Sequence, residues 1–172
     1  ASSNKDKLRE IRERFSDFDC EIVSMKDAGS DIDVEETGDT FLENAYIKAK
    51  AVWDITGSIV FSDDSGLEVD YLDKAPGVYS ARFGGENATD SEKNKKMLEL
   101  LKDVEKENRK AHYVSVVSIA FPTGEIHSFR GEIEGEILFE ARGNNGFGYN
   151  PIFSSYELGQ SFGEADDEER KN

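Results

Sequence analysis

Residues 59–67 read Ile59-Val60-Phe61-Ser62-Asp63-Asp64-Ser65-Gly66-Leu67, and the placement of this stretch decides the fold. A short apolar run of this kind predicts a buried strand. The paired aspartates, followed by Ser65 and Gly66, predict that the strand stops there and gives way to a loop. Loops at strand ends are where α/β proteins place ligand chemistry. Adjacent carboxylates repel unless a proton or cation lies between them, and Mg²⁺ suits oxygen ligands that it shares with substrate phosphates. A polar turn, with Asp63 and Asp64 accepting backbone N–H bonds, is the other reading open at this point.

Downstream, Leu67 to Leu72 alternates apolar and polar residues and predicts a half-exposed strand. Lys74 to Gly85, punctuated by Pro76, Gly77, Gly84 and Gly85, predicts a long connection of the kind that often carries function. Upstream, Thr37, Asp39 or Thr40 can cap a helix that runs to about Thr56 and closes at Gly57. Phe41, Ala45, Ala49 and Val52 make its buried stripe, with Trp53 alongside. Asn44 and Lys48 lie one turn apart on a common face. Glu36 at the helix entrance is a favourable dipole partner, and with Lys48 it can also address a metal and a phosphate.

The amino-terminal Ser2-Ser3-Asn4-Lys5-Asp6-Lys7 precedes Leu8, Ile11 and Phe15, which are spaced as one face of an amphipathic helix. A polar turn that opens a helix offers free N–H donors and a positive dipole end to a phosphate, within reach of Lys7. Such a turn normally follows a strand, which is expected to precede Ala1 in the full protein. Residues 20–25 predict a short strand, with Cys20 as a small core residue.

Thr89-Asp90-Ser91-Glu92 is a capping box, and Met97, Leu98 and Leu101 give the helix behind it a structural apolar face. Ala111 to Phe121 is rich in β-formers, Pro122 to Glu125 turns, and Ile126 to Gly131 returns as a hairpin arm. Glu132 to Phe139 predicts one further strand. His112 and His127 fall within strands and receive no chemical role. Arg142 to Phe153 interleaves glycines, which let backbone approach a ligand, with aromatics that can stack on a base or anchor the loop. The acidic tail from Ser161 predicts a helix.

Composition narrows the classes. At 172 residues and 37% hydrophobic, the chain can bury one good core, so a single domain over residues 1–172 is expected. No apolar run reaches the roughly 18 residues of a membrane span, and no leader pattern opens the chain, so a cytoplasmic protein is expected. One cysteine excludes an internal disulfide and a cysteine-based zinc site. A net charge of −16 argues against nucleic-acid binding, although a local lysine cluster can still receive a phosphorylated small molecule.

Taken jointly, five segments carry a resemblance. They are Ser2 to Lys7; Glu35 to Ala49; Ser62-Asp63-Asp64-Ser65-Gly66-Leu67; Ala75-Pro76-Gly77-Val78-Tyr79-Ser80-Ala81-Arg82; and Gly146-Phe147-Gly148-Tyr149-Asn150-Pro151. In series, and over nearly the whole chain, they resemble the inosine/xanthosine triphosphate pyrophosphatase family. The resemblance implies an α/β fold: an elongated mixed β-sheet with flanking helices and two lobes around a central cleft, assembled as a homodimer. It implies Mg²⁺-dependent hydrolysis of noncanonical purine nucleoside triphosphates (ITP, dITP, XTP) to the monophosphate and pyrophosphate. Carried over, Asp64 and Lys48 are catalytic, with Asp64 orienting or deprotonating the attacking water, and Glu36 and Asp64 hold the metal. Ser2, Ser3, Asn4, Lys5, Asp6, Lys7, Lys48 and Ser65 bind phosphates. Phe147, Gly148, Tyr149, Asn150 and Lys171 surround the base.

Two departures stand out. Asn150 replaces the family's Asp, so a donor is added where the family offers acceptors only. The family's Ser-His-Arg segment would follow Asn172, and the expectation is that the domain is clipped at both ends. A nucleotide-binding sensor that does not hydrolyse is the alternative from another class. A phosphoacceptor receiver domain is disfavoured by the hairpin beyond Ala111.

Overall fold

Asp63 and Asp64 lie inside a strand, not at the end of one. The computed structural model describes residues 5–30 and 32–171, without the side chains of Lys5, Asp6, Glu10 and Lys171. In it β1 runs unbroken over Val60–Val69. The expected strand, loop and strand are one element, and neither a loop nor a polar turn interrupts it. Gly66 explains why its composition misleads: a Cβ there would fall 2.4 Å from Ser80 Oγ and 2.6 Å from the Gly77 carbonyl. The glycine serves a close approach of chain to strand, not a turn.

The elements in order are α1 (Lys5–Arg14), α2 (Phe41–Thr56), β1, α3 (Asp90–Leu100), β2 (Lys110–Ala120), β3 (Ile126–Ile137) and β4 (Phe153–Ser155), with short 3₁₀ turns between them. The four strands form one sheet in the order β1-β2-β3-β4. The β2–β3 hairpin closes with Phe121 N–H donating to the Glu125 carbonyl at 2.9 Å. β3 pairs antiparallel with β4, Gly135 facing Ser155 and Ile137 facing Phe153. This is the mixed α/β class, a sheet with flanking helices, that the sequence predicts.

Three local expectations are corrected. Residues 20–25 form no strand, and Cys20 is exposed; Arg12 Nε takes the Ile22 carbonyl at 2.9 Å, so this backbone is bonded by a side chain in place of a ladder. β3 is one strand where two are predicted, because Gly131 adopts no left-handed backbone and the strand passes through it. The only helical piece of the acidic tail among the described residues is a 3₁₀ turn at Glu169–Lys171.

The chain divides into two units, residues 1–64 with 116–130, and residues 65–115 with 131–172. In the first, Ala49, Val52, Val60 and Ala120 pack together with Met25, Ile32, Trp53 and Ile126 around them. In the second, Leu67, Val69, Met97, Leu101, Ile152 and Phe153 belong to one buried cluster. No helix among the described residues is long and apolar enough to cross a membrane.

Helix α2 carries Asn44 and Lys48. Thr40 caps it by accepting from the Glu43 N–H at 3.1 Å, and Glu43 returns the bond to the Thr40 N–H, also at 3.1 Å. Gly57 ends it in the left-handed region at φ 60°, where a side chain would be strained. The predicted stripe of Phe41, Ala45, Ala49 and Val52 is buried throughout. Thr40→Ala is expected to cost about 1 kcal/mol of stability, read as a lower urea midpoint at unchanged slope.

Candidate functional site

Strand alternation sends neighbouring side chains to opposite faces, and β1 uses both. On one face α2 approaches: Ser62 Oγ donates to the Ala45 carbonyl at 2.6 Å, and Asn44 Nδ2 donates to Asp64 Oδ2 at 3.2 Å. On the other lies α1, with Phe15 6.0 Å from Phe61 between ring centroids and Lys7 Nζ 2.5 Å from Asp63 Oδ2. Asp63 and Asp64 therefore do not clasp one cation between them, and that expectation is corrected. Each carboxylate answers to its own lysine.

The carboxylates that do converge are Glu36 and Asp64. Lys48 Nζ lies 2.8 Å from Glu36 Oε1 and 3.5 Å from Asp64 Oδ1. Helical spacing makes this possible, since Asn44 and Lys48 rise one turn apart on the α2 face above β1. Asn44 also accepts the Gly38 N–H at 2.8 Å, which fixes the acidic loop that carries Glu36 against the helix start. Burial is the largest influence on Asp64 and pushes its carboxyl up. Lys48 opposes that shift, Glu36 adds to it, and Asn44 and Lys7 pull down, leaving the group above its ordinary value.

This donor set fits a hard divalent cation. A cation already occupies the space between two carboxylates in the form of the Lys48 ammonium, and oxygen ligands are what such an ion requires. Asp63 Oδ1 is buried and accepts no hydrogen bond from the described residues. The sequence singles out Asn44, on one face with Lys48, and Asp63, beside Asp64, but assigns neither a place in the site; the structure sets Asn44 on Asp64 and pairs Asp63 with Lys7.

The second unit holds the aromatic segment. Asp90 and Asn94, on the first turns of α3, grip Gly148 from both sides: Asp90 Oδ2 accepts its N–H at 2.6 Å, and Asn94 Nδ2 donates to its carbonyl at 3.1 Å. Burial raises the Asp90 carboxyl, but the Lys93 hydrogen bond, the Gly148 N–H and the Lys93 charge together hold it below its ordinary value. Tyr149 is buried, and its hydroxyl donates to the Ser80 carbonyl at 2.8 Å. Asn150 Oδ1 accepts from the Tyr113 hydroxyl at 3.1 Å, and a Cβ at Gly146 would fall 2.0 Å from its Nδ2. Asn150 thus organises its own loop. A cavity of about 550 Å³ lies here, lined by Asp90, Asn94 and Leu98 of α3 and by Gly143 to Gly148.

The predicted site residues therefore fall into groups. Glu36, Lys48 and Asp64 come together, with Lys7 near Asp63 in the same unit. Ser65 lies on β1 in the second unit, as do Phe147, Gly148, Tyr149 and Asn150 in their loop. Ser2, Ser3 and Asn4 lie outside the described residues; Lys5 and Asp6 open α1, and Lys171 ends the last 3₁₀ turn, with side chains not described.

The Ham1 family profile matches residues 1–172. The chain is 45% identical to the dITP/XTP pyrophosphatase of Clostridium perfringens, over 99% of this chain and 86% of that protein. It is 46% identical to the dITP/XTP pyrophosphatase of a Thermoanaerobacter species, over 99% and 85%. Among solved structures, a HAM1 protein from Coxiella burnetii superposes with a TM-score of 0.91 at 39% identity, covering 99% of this chain and 87% of that one. The nucleoside-triphosphatase/dITP/XTP pyrophosphatase of Mycobacterium abscessus gives 0.85 at 38% identity, covering 99% and 90%. On sequence and fold together, the chain belongs to the Ham1 family.

Proposed function

We propose that this protein hydrolyses noncanonical purine nucleoside triphosphates, ITP, dITP and XTP, to the nucleoside monophosphate and pyrophosphate, with Mg²⁺ as cofactor. The observation that carries the reading is the single ammonium of Lys48 held between Glu36 and Asp64. Phosphoryl transfer needs positioning and charge neutralisation more than covalent help, and these residue types supply both. Glu36 and Asp64 are the residues that would hold Mg²⁺, which would neutralise charge building on the phosphate oxygens. Lys48 then exchanges its carboxylate partners for substrate phosphate. Lys7 is the second phosphate ligand, with Ser2 to Asp6 and Ser65 assigned to the same task.

Asp64 accepts the proton of the attacking water as the oxygen bonds to phosphorus, and the α–β anhydride breaks to release pyrophosphate. A carboxyl held above its ordinary value is a stronger base than an exposed aspartate, which is the direction this step needs. Asn44 holds the other oxygen of Asp64 and so fixes which one faces the water. Base recognition is assigned to Phe147, Gly148, Tyr149 and Asn150 with Lys171 on the family resemblance of this segment, the exposed Phe147 ring offering the stacking face. A homodimer and a cytoplasmic setting are part of the same proposal. Exposed Phe139 and Tyr156 of the second unit offer apolar area that a second copy would cover.

The test is a turnover panel with inosine, xanthosine, adenosine and guanosine triphosphates in Mg²⁺, following monophosphate and pyrophosphate separately. The expected outcome is pyrophosphate from inosine and xanthosine triphosphates well ahead of the other two. Binding of inosine triphosphate without product would instead identify a sensor.

A further inference from the structure

His112 is one of two histidines in the chain, and it plays no part in the pyrophosphatase reading. Its side chain is 8% exposed, yet neither ring nitrogen finds a hydrogen bond of acceptable geometry. Buried imidazole nitrogens in this condition are uncommon, because each forfeits the solvation that water would provide. What surrounds the ring is carboxylate. Nδ1 lies 2.8 Å from Glu132 Oε1, and Nε2 lies 3.2 Å from Asp70 Oδ1.

The placement follows from the sheet. β2 carries His112 and lies between β1 and β3. Asp70 opens the 3₁₀ turn directly after β1, and Glu132 and Glu134, two residues apart on β3, share a face. One ligand atom from each of His112, Glu132 and Glu134 lies within 4.8 Å of the others, a spread that rotation of the two part-exposed glutamates closes. All these residues belong to the second unit.

We infer that His112, Glu132 and Glu134 form a binding site for a divalent first-row transition metal, separate from the Glu36–Asp64 centre. An imidazole in the donor set selects ions such as Zn²⁺ or Co²⁺ over Mg²⁺, which takes oxygen ligands. Nδ1, beside Glu132, is the ligand atom. Nε2, 3.2 Å from Asp70 Oδ1, is then the nitrogen that would turn its N–H onto that carboxylate once the ring is drawn to an ion, the carboxylate–histidine–metal arrangement that fixes tautomer and ring orientation. Existing partners compete: Lys74 holds Asp70 at 2.5 Å, Lys110 lies 3.3 Å from Glu134 Oε2, and Glu132 has a further partner that an ion would displace. Lys110 is 40% exposed and releases Glu134 to an arriving ion, while the Lys74 contact leaves Asp70 in place as the outer partner. The site would pin β2 to β3, so its occupancy registers as stability and does not depend on catalysis.

The experiment uses the full chain in saturating Mg²⁺, titrated with Co²⁺ by visible absorption and with Zn²⁺ by calorimetry. The expected result is one ion per chain, bound at least tenfold more weakly by His112→Ala and by Glu134→Gln, and unchanged in His127→Ala. Zn²⁺ at a hundredfold excess over its Kd is expected to raise Tm by about 5–10 °C in the wild type and not in His112→Ala. Glu134 is more than half exposed, so Glu134→Gln remains a folded comparison if His112→Ala is not. Equal binding in the wild type and Glu134→Gln, loss of binding in His127→Ala, or no stoichiometric binding at all would overturn the site.

Discussion

Asp64→Asn is expected to lower kcat for inosine triphosphate by about 10³-fold, within the range that a positioned general base contributes. The substitution keeps the shape of the side chain and the bond from Asn44, and it removes the charge and the proton acceptor. Its stability should not fall, and the sign follows from the pKa. Burial raises the Asp64 carboxyl above its unfolded value, so the native state binds this proton more tightly than the unfolded one. Its contribution is favourable below the unfolded pKa and is lost as pH rises through the folded pKa. At neutral pH, without Mg²⁺, the ionised group is a cost that Asn does not carry. An inactive enzyme whose Tm equals or exceeds that of the parent is therefore the expected pair of readings, from product release and thermal melting. A drop in both would mean that Asp64 holds the fold and not the reaction.

The second large effect lies outside the site. Arg109, 1% exposed, donates from Nε to the Ile137 carbonyl at 2.7 Å, from Nη1 to Leu101 at 2.5 Å and Val104 at 3.4 Å, and from Nη2 to Leu138 at 2.6 Å. Its guanidinium also stacks 4.1 Å from the Phe139 ring centroid. One side chain thus satisfies carbonyls at the end of α3, in the loop after it and at the end of β3. Arg109→Met fills similar volume but takes a charged donor from four carbonyls, of which that of Leu101 keeps the Val104 N–H. We expect a loss of about 3–5 kcal/mol, which corresponds to roughly 6–20 °C in Tm for a chain of this size. Lysine would not rescue it, because a single ammonium cannot reproduce the planar fork.

What could be read from the sequence was whatever local chemistry decides. The α2 boundaries follow from Thr40, Glu43 and Gly57, and those of α3 from Thr89 and Glu92, because caps act within one turn. The buried stripe of α2 follows from its period. The continuity of β1 was not legible, since Asp63, Asp64, Ser65 and Gly66 carry weak β-propensity. What holds them in place is contact with residues distant in sequence: Lys7 on one side, Asn44 and Lys48 on the other, and Ser80 against Gly66. The same reasoning explains the site. Lys48 and Asp64 could be named from the motifs, but sending Asp63 to the opposite face needed the strand, and the strand needed the tertiary fold. In sequence Asp90 is only part of a capping box and Asn94 carries no signal, because nothing local announces a grip on Gly148, more than fifty residues away.

Lys48 and Asp64, 3.5 Å apart, are expected to work as one device. A double-mutant cycle on kcat/KM for inosine triphosphate, with Lys48→Met, Asp64→Asn and the two combined, measures this directly. Groups that act as a unit lose their function once, so the double variant should be about as slow as the slower single variant. If the two losses instead multiply, the side chains act independently, and the shared site at Lys48 is not the catalytic centre.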